Sequence, residues 1–336
     1  MKKYNVVVIG ATGAVGQEIL KILVERNFPV DQLRLCATAR SAGKIMTFQG
    51  KEYTVEETRA ESFENMHVAL FAGGSASKDF AQDAVKRNCV VIDNSSAFRM
   101  DPNVPLVVPE VNPEDVKWHK GIIANPNCST IQMVVALKPI HDAARIKRVV
   151  VSTYQAVSGA GIEAIEELTA QVKAIYEGGE IKKEVFPYQI AFNLIPHIDV
   201  FGDMDYTKEE WKMVKETQKI MHDDAIQVTA TTVRVPVYRS HSESINIETE
   251  KKLSSQQVKE ILAKAPGVVV MDNIANKEYP MPLYTSDRDE VFIGRIREDN
   301  SISNGINLWC VADQLRKGAA TNAVQIAETM IKYDIL

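Results

Sequence analysis

The residues best suited to chemistry lie in Asn125-Pro126-Asn127-Cys128-Ser129-Thr130. A short apolar run, Gly121 to Ala124, precedes them with the character of a buried strand end, and Ile131 to Leu137 follow with apolar spacing that suits a helix. Cys128 therefore belongs at a strand-to-helix turn. There the first N–H groups of the helix lack internal partners and the helix dipole turns its positive end outward. Both stabilise a thiolate and lower the thiol pKa, and the same N–H groups can steady an oxyanion. Most lone cysteines simply pack in a core. Two asparagines and a proline directly ahead of Cys128 are a poor choice for packing alone, which makes Cys128 a candidate nucleophile.

A second constellation sits near the start. Asn5-Val6-Val7-Val8-Ile9 is an apolar run of the kind buried in a parallel sheet, Gly10-Ala11-Thr12-Gly13-Ala14-Val15-Gly16 follows at once, and Ile19, Leu20, Ile22 and Leu23 then take helical spacing. Glycines spaced this way allow a tight turn and let backbone approach a pyrophosphate at a helix N-terminus. The expected cofactor contacts are Gly10, Thr12, Gly13, Ala14 and Val15. The strand Leu33 to Ala37 should end at the adenosine ribose, where an NAD site usually carries an acid. Thr38-Ala39-Arg40-Ser41 offers an arginine and two hydroxyls instead, which suits a 2′-phosphate, so NADP(H) is the expected cofactor. Gly73-Gly74-Ser75 and Asn94-Ser95-Ser96 fall at carboxyl ends of further strands, with Arg99 close by and able to clamp a phosphate or carboxylate.

In the second half, Gln155-Ala156-Val157-Ser158-Gly159-Ala160-Gly161 ends a strand that starts near Lys147. Thr207 and Glu210 stand at capping-box spacing, and the helix they open carries Glu216 and Lys219 on one face. Arg234 interrupts an apolar strand spanning 226 to 237 and needs a partner if buried. His241, in the connection before a strand from Ser244 to Glu250, is the histidine best placed to act as a base. Gly305 to Lys332 shows apolar residues at helical spacing and is expected to return as one helix to the first domain, with Gln314 on its course reaching the cofactor.

The elements needed to position these groups define the fold class. Strands at Val68 to Phe71, Val90 to Ile92 and Leu106 to Val108, with a helix over Ser77 to Arg87, follow the first βαβ pattern. From about Ile146 the strands and their connections lengthen. The expected architecture is α/β: a Rossmann-type dinucleotide-binding domain at 1–128, completed by a C-terminal helix over about 310–336, and an α+β domain with a mixed sheet at 129–309. A chain of 336 residues is long enough for two cores, and a formal net charge of −5 argues against a nucleic-acid partner. No apolar run reaches the roughly 18 residues of a membrane span, and Met1-Lys2-Lys3-Tyr4 leads directly into a strand, so a cytoplasmic protein is expected. Cys36, Cys89, Cys128 and Cys310 are widely separated and show no metal-ligand spacing, so no metal is expected.

Taken together, the glycine loop, Thr38 to Ser41, Asn94 to Arg99, Asn125 to Thr130, Tyr154 to Gly161, Glu216-Thr217-Gln218-Lys219, Arg234-Val235-Pro236 and His241 resemble bacterial aspartate-semialdehyde dehydrogenases, over essentially the whole chain. The resemblance implies reductive dephosphorylation of L-aspartyl 4-phosphate to L-aspartate 4-semialdehyde with NADPH, through a Cys128 thioester, on the route to lysine (by way of diaminopimelate), methionine, threonine and isoleucine. By the same likeness His241 is the acid–base group and Gln155 orients the substrate. Arg99 and Lys219 would hold the phosphate, Arg234 the α-carboxylate and Glu216 the ammonium group, with Asn127 a further substrate- or phosphate-binding residue. Thr38, Arg40, Ser41, Gly73, Asn94, Ser158, Gly159 and Gln314 would join the glycine loop around NADP, and the second domain would form a homodimer. A reductase of N-acetyl-glutamyl phosphate is the nearest rival, disfavoured because a blocked amine has no use for Glu216. A cofactor sensor without turnover is the rival from another class, and it has no use for the nucleophile.

Overall fold

The computed structural model describes residues 2–336; Met1, where the expected lead-in begins, lies outside them. The chain forms two compact units, Met1–Asn127 with Ala319–Leu336, and Cys128–Gly318.

The first unit is built on a six-stranded parallel sheet. Its strands are β1 (Tyr4–Ile9), β2 (Val30–Ala37), β5 (Glu56–Glu57), β6 (Val68–Phe71), β7 (Val90–Asp93) and β8 (Ile122–Ala124), in the order β5-β2-β1-β6-β7-β8. Helices α1 (Ala14–Glu25) and α2 (Ala76–Lys86) make the connections, and β3 (Ile45–Phe48) and β4 (Lys51–Thr54) form a separate hairpin. Val6, Val7, Val8 and Ile9 are all buried, because a strand covered on both faces shows an unbroken apolar run instead of alternation. The C-terminal helix, Thr321–Lys332, adds Ala323, Val324, Ile326, Ala327 and Met330 to the core that holds Val6, Ile19, Leu23 and Ile92. At about 1.5–3 kcal/mol for each large apolar side chain removed from water, this helix is integral to the first unit.

A ladder of amides ties the strand ends together. Asn322 donates to the Val107 carbonyl (2.9 Å) and to Asn125 Oδ1 (2.7 Å), Asn125 donates to Asn94 Oδ1 (3.0 Å), and Asn94 donates to the Phe71 carbonyl (2.7 Å). The loops after β6, β7 and β8 are thus referenced to one helix. Arg99 is buried beside them and donates to the Asn94 carbonyl (2.8 Å).

The second unit carries a mixed sheet, ordered β10-β9-β11-β14-β13-β12. The strands are β9 (Ile146–Gln155), β10 (Gln227–Arg234), β11 (His241–Thr249), β12 (Val268–Val270), β13 (Val291–Asp299) and β14 (Gly305–Ala312). The pairs β9–β11, β11–β14 and β13–β14 are antiparallel, and β9–β10 and β12–β13 are parallel. Helix α3 (Cys128–Ala144) packs on this sheet and is buried on nearly every side, with α5 (Lys208–Met221) and α6 (Ser255–Leu262) against it. Helices α4 (Ile162–Glu177) and α7 (Pro282–Thr285) complete the unit. The register sets two polar rows across the sheet. Arg234, Gln155 and His241 lie at its edge, and Thr232, Thr153, Glu243 and Cys310 lie one pleat further in.

Three elements differ from the sequence expectation. Gly305 to Lys332 is not one helix: it is strand β14, a π-helical turn at Arg316–Ala320, and then the C-terminal helix. Leu308 and Val311 are both buried although they point to opposite faces of β14, a spacing that mimics a helix, and residues 310–318 belong with the second unit. His241 does not precede its strand but opens β11. Leu106 to Val108 makes only a single bridge, Leu106 to Ala124, confined between Pro105 and Pro109.

Replacing Asn322 by Ala leaves the Val107 carbonyl and Asn125 amide without their donor in a dry interior. Urea unfolding should show a loss of about 1–3 kcal/mol for each acceptor stranded; a change within error would mean that the ladder carries no load.

Candidate active site

In the first unit the end of β1 meets a cleft of about 430 Å³ lined by Gly10, Thr38, Ala39, Glu57, Thr58, Gly73 and Gly74. The glycine types follow from local geometry. Gly10 has φ +80°, and a Cβ on Gly16 would come within 2.2 Å of the Gly10 carbonyl oxygen, so α1 can lie this close to the loop only without a side chain there. Gly73 (φ +125°) and Gly74 (φ +84°) face open space, so the backbone is bare where a ring or phosphate would lie. Such a cradle at a helix N-terminus fits a dinucleotide. Thr12, Gly13, Ala14 and Val15 form the turn into α1, while Arg40 and Ser41 lie in a 3₁₀ turn directly after Thr38.

One occupant of this cleft was not legible in the sequence. β5 pairs beside β2, with Ala37 opposite Glu57, and so delivers an acid to the cleft where the segment Thr38 to Ser41 has none. Arg59 holds that acid at 2.7 Å. The signal would have been a very short strand followed by an arginine, too slight to read from spacing.

In the second unit Cys128 is the first residue of α3 and is half-buried, as its place at the strand-to-helix turn requires. The next residue, Ser129, accepts a hydrogen bond from Gln155 Nε2 (2.7 Å), whose amide also donates to Glu209 Oε1 (3.2 Å). Glu209 lies on the buried face of α5 that also carries Met213 and Glu216. The Thr207–Glu210 capping box starts that helix as the spacing predicts. Lys212 binds Glu209 at 3.1 Å and Asp199 at 2.9 Å, so Glu209 is a shared anion between a lysine and the site. Glu216 is fully buried and Lys219 half-buried, three residues apart on α5.

Arg234 is buried at the end of β10, where its guanidinium donates to the Ala156 carbonyl (2.6 Å) and lies over the Phe186 ring. Burial pulls its pKa down, and the negative charges of Glu209 and Cys128 work against that loss. The cation expected to need partners therefore has them, and one is the candidate nucleophile.

His241 is fully buried, and its Nδ1 accepts from the Ala156 N–H (3.1 Å). A neutral ring held in this way carries its proton on Nε2. Burial, reinforced by the nearby Arg234 cation, pushes its pKa well below the ordinary histidine value, so the ring is neutral at physiological pH. A Cβ on Gly159 would stand 3.1 Å from Arg234 Nη1 and 3.4 Å from His241 Nε2. The missing side chain thus leaves room where a guanidinium and an imidazole converge. Nε2 has no partner among the described residues.

Gln314 lies in the turn after β14 rather than on a helix. Its Oε1 accepts from the Ser240 N–H (2.7 Å), its Nε2 donates to Ser158, and Ser158 donates to the Tyr238 carbonyl. This chain steadies the loop that holds Gly159. Asp313 accepts from the N–H groups of Leu315 and Arg316 and so shapes the entry to the π-helical turn. That turn delivers Gly318 against Cys128, a second feature with no signature in the sequence. Arg99 and Asn127 are buried residues of the first unit.

Comparison with known proteins agrees in every part of the chain. Residues 5–119 match the family described as semialdehyde dehydrogenase, NAD binding domain, and residues 137–317 match semialdehyde dehydrogenase, dimerisation domain. The aspartate-semialdehyde dehydrogenase of Aquifex aeolicus is 63% identical over 99% of each chain, and that of Bacillus subtilis 54% identical over 99% of each. Among solved structures, aspartate semialdehyde dehydrogenase II of Vibrio cholerae complexed with ASA superposes with a TM-score of 0.96 at 48% identity, covering 99% of both chains. Aspartate semialdehyde dehydrogenase with NADP from Candida albicans gives 0.79 at 25% identity, covering 100% of both.

A Cβ on Gly318 would lie 2.9 Å from Cys128 Cβ and 3.3 Å from its Cα, both short, rigid atoms. Gly318→Ala should therefore displace the thiol, slowing alkylation of Cys128 and lowering kcat by about 100-fold, the cost of moving a reacting atom by about 1 Å. Unchanged alkylation and turnover would show that the close approach has no consequence.

Proposed function

Since the chain belongs to the aspartate-semialdehyde dehydrogenase family, we propose that it reduces L-aspartyl 4-phosphate to L-aspartate 4-semialdehyde with NADPH, through a thioester on Cys128. It is an oxidoreductase of amino-acid biosynthesis. The observation that carries the mechanism is the arrangement in the second unit: Cys128 heading α3, Gln155 bound to the neighbouring Ser129, and Arg234 and His241 converging on Gly159.

The Cys128 thiolate attacks the acyl carbon, forming the C–S bond as the C–O bond to phosphate breaks, and phosphate leaves with the electron pair. N–H groups at the start of α3 steady the tetrahedral oxyanion. NADPH supplies the hydride that reduces the thioester. His241 presents its Nε2–H to the resulting alkoxide and donates a hydrogen bond to it. In the oxidative direction it takes the hydroxyl proton, once the Ala156 contact to Nδ1 opens for the other tautomer. The alkoxide collapses to the aldehyde as the C–S bond breaks with its electron pair going to sulfur, which restores the thiolate. Gln155 orients the acyl group, and Arg234 binds the α-carboxylate, for which a planar guanidinium is suited. Glu216 receives the ammonium group, while Arg99, Asn127 and Lys219 receive the phosphate.

The first unit serves as the NADP-binding domain and the second as the catalytic and dimerisation domain of a homodimer. Gly10, Thr12, Gly13, Ala14, Val15, Gly73 and Asn94 hold the pyrophosphate and nicotinamide portions, and Ser158, Gly159 and Gln314 are further cofactor-binding residues. Thr38, Arg40 and Ser41 take the 2′-phosphate, whose approach is eased because Arg59 offsets the Glu57 charge. The product feeds lysine, by way of diaminopimelate, and methionine, threonine and isoleucine, and the setting is cytoplasmic. Among the described residues no helix is long and apolar enough to cross a membrane.

Reduction of NADP⁺ by L-aspartate 4-semialdehyde should require phosphate and be abolished in Cys128→Ser with NADP⁺ binding retained. In Arg40→Ala the KM for NADP⁺ should rise about tenfold or more while that for NAD⁺ stays put, the loss expected for a charged hydrogen bond. Turnover with N-acetyl-glutamate semialdehyde in place of the free amine would move the substrate assignment, and silence with both would mean a cofactor sensor.

A further inference from the structure

Directly behind the row of Arg234, Gln155 and His241 lies a second polar row that the proposed chemistry does not use. Register pairs Thr232 with Thr153, Thr153 with Glu243, and Glu243 with Cys310, so these side chains share the sheet face that α3 covers. Glu243 is fully buried, and neither of its carboxyl oxygens has a hydrogen-bond partner among the described residues. Thr153 Oγ1, Thr232 Oγ1 and Gln132 Oε1 are buried without partners as well. Gln132 stands four residues after Cys128 on α3 and its amide lies against Glu243. Its Nε2 donates to the His241 carbonyl (3.3 Å), and its own backbone carbonyl faces the Cys310 thiol.

An ionised carboxylate placed here would be an isolated buried charge, which costs far more than a satisfied polar group. The side-chain amide of Gln132 beside it favours the charged form, but burial outweighs that contact. A proton on Glu243 removes that cost and supplies an O–H donor to a region where the buried oxygens of Thr153, Thr232 and Gln132 have no partner. We propose that Glu243 is a positioning residue that works as a neutral carboxylic acid, hydrogen-bonding Gln132 and thereby bracing the His241 carbonyl against the first turns of α3. The brace runs from β11 to the helix that Cys128 opens, so it holds the base and the nucleophile to one another within one unit. The charge of Glu209 on α5 reinforces the neutral state, since it opposes a second anion nearby, and burial acts in the same direction and more strongly. The Cys310 thiol on β14, held protonated by burial, adds no charge.

The inference rests on Cys128 and His241 being the working pair, so the test includes readouts independent of turnover. Glu243→Gln, which keeps the shape and a donor, should retain kcat within about threefold with an unchanged pH profile, since it replaces one neutral donor by another. Glu243→Leu should lower kcat by roughly 10- to 100-fold with the KM for NADP⁺ unaltered, and should slow alkylation of Cys128. Infrared difference spectra of the native protein at mildly alkaline pH should contain a protonated-carboxyl band that Glu243→Gln removes. If Glu243→Leu does not fold, the glutamine variant and the infrared band decide the matter. Loss of activity or a displaced pH profile in Glu243→Gln, absence of the band, or a fully active Glu243→Leu would each overturn the proposal.

Discussion

A cysteine at the first residue of a buried helix, the proposed thiolate, is the constraint around which the second unit is arranged. Helix α3 is covered by the sheet and by α5 and α6, so charge at its N-terminus cannot rely on bulk water. The helix N–H groups and dipole supply part of the balance. Arg234 supplies another part, and as a buried cation it has the mutual need, met by Cys128 and Glu209 together. Glu209 is in turn held by Lys212, which stands at the more exposed side of α5. The alternation of signs from lysine to glutamate to arginine, and on to the proposed thiolate, lets several charges share a region that none could occupy alone.

Neutral groups fill the places where a further charge would upset that balance. His241 is held uncharged by burial and by Arg234, and Ala156 selects its tautomer. One backbone residue therefore serves both groups: its carbonyl accepts from Arg234 and its N–H donates to His241. Small residues keep the reactive space clear, with Gly159 before the imidazole and Gly318 against Cys128. The first unit solves a separate problem by similar means, since its asparagine ladder fixes three loops with neutral amides and leaves the cleft backbone bare.

What was legible in the sequence was local. The glycine loop, the capping box at Thr207 and the strand-to-helix setting of Cys128 each depend on residues within a few positions, and each has a direct counterpart in the structure. β14 was misread because the run Cys310, Val311 and Ala312 is buried without alternation at its end, and Leu308, Val311 and Leu315 then share the apolar spacing of a helix. Glu57, Glu209, Glu243 and Gly318 escaped notice for a different reason. Each acquires its meaning from strand register or from a turn distant in sequence, and nothing in its immediate neighbours marks it.

The central claim is that Cys128 carries the acyl group. The most direct measurement is to mix the native protein with L-aspartyl 4-phosphate in the absence of NADPH, quench in acid, and locate the adduct by mass spectrometry of the digested chain. An aspartyl mass on the peptide containing Cys128, chased into semialdehyde when NADPH is added before the quench, is the predicted result. Turnover that proceeds at full rate with no adduct on Cys128, or with the label on another residue, would contradict the account.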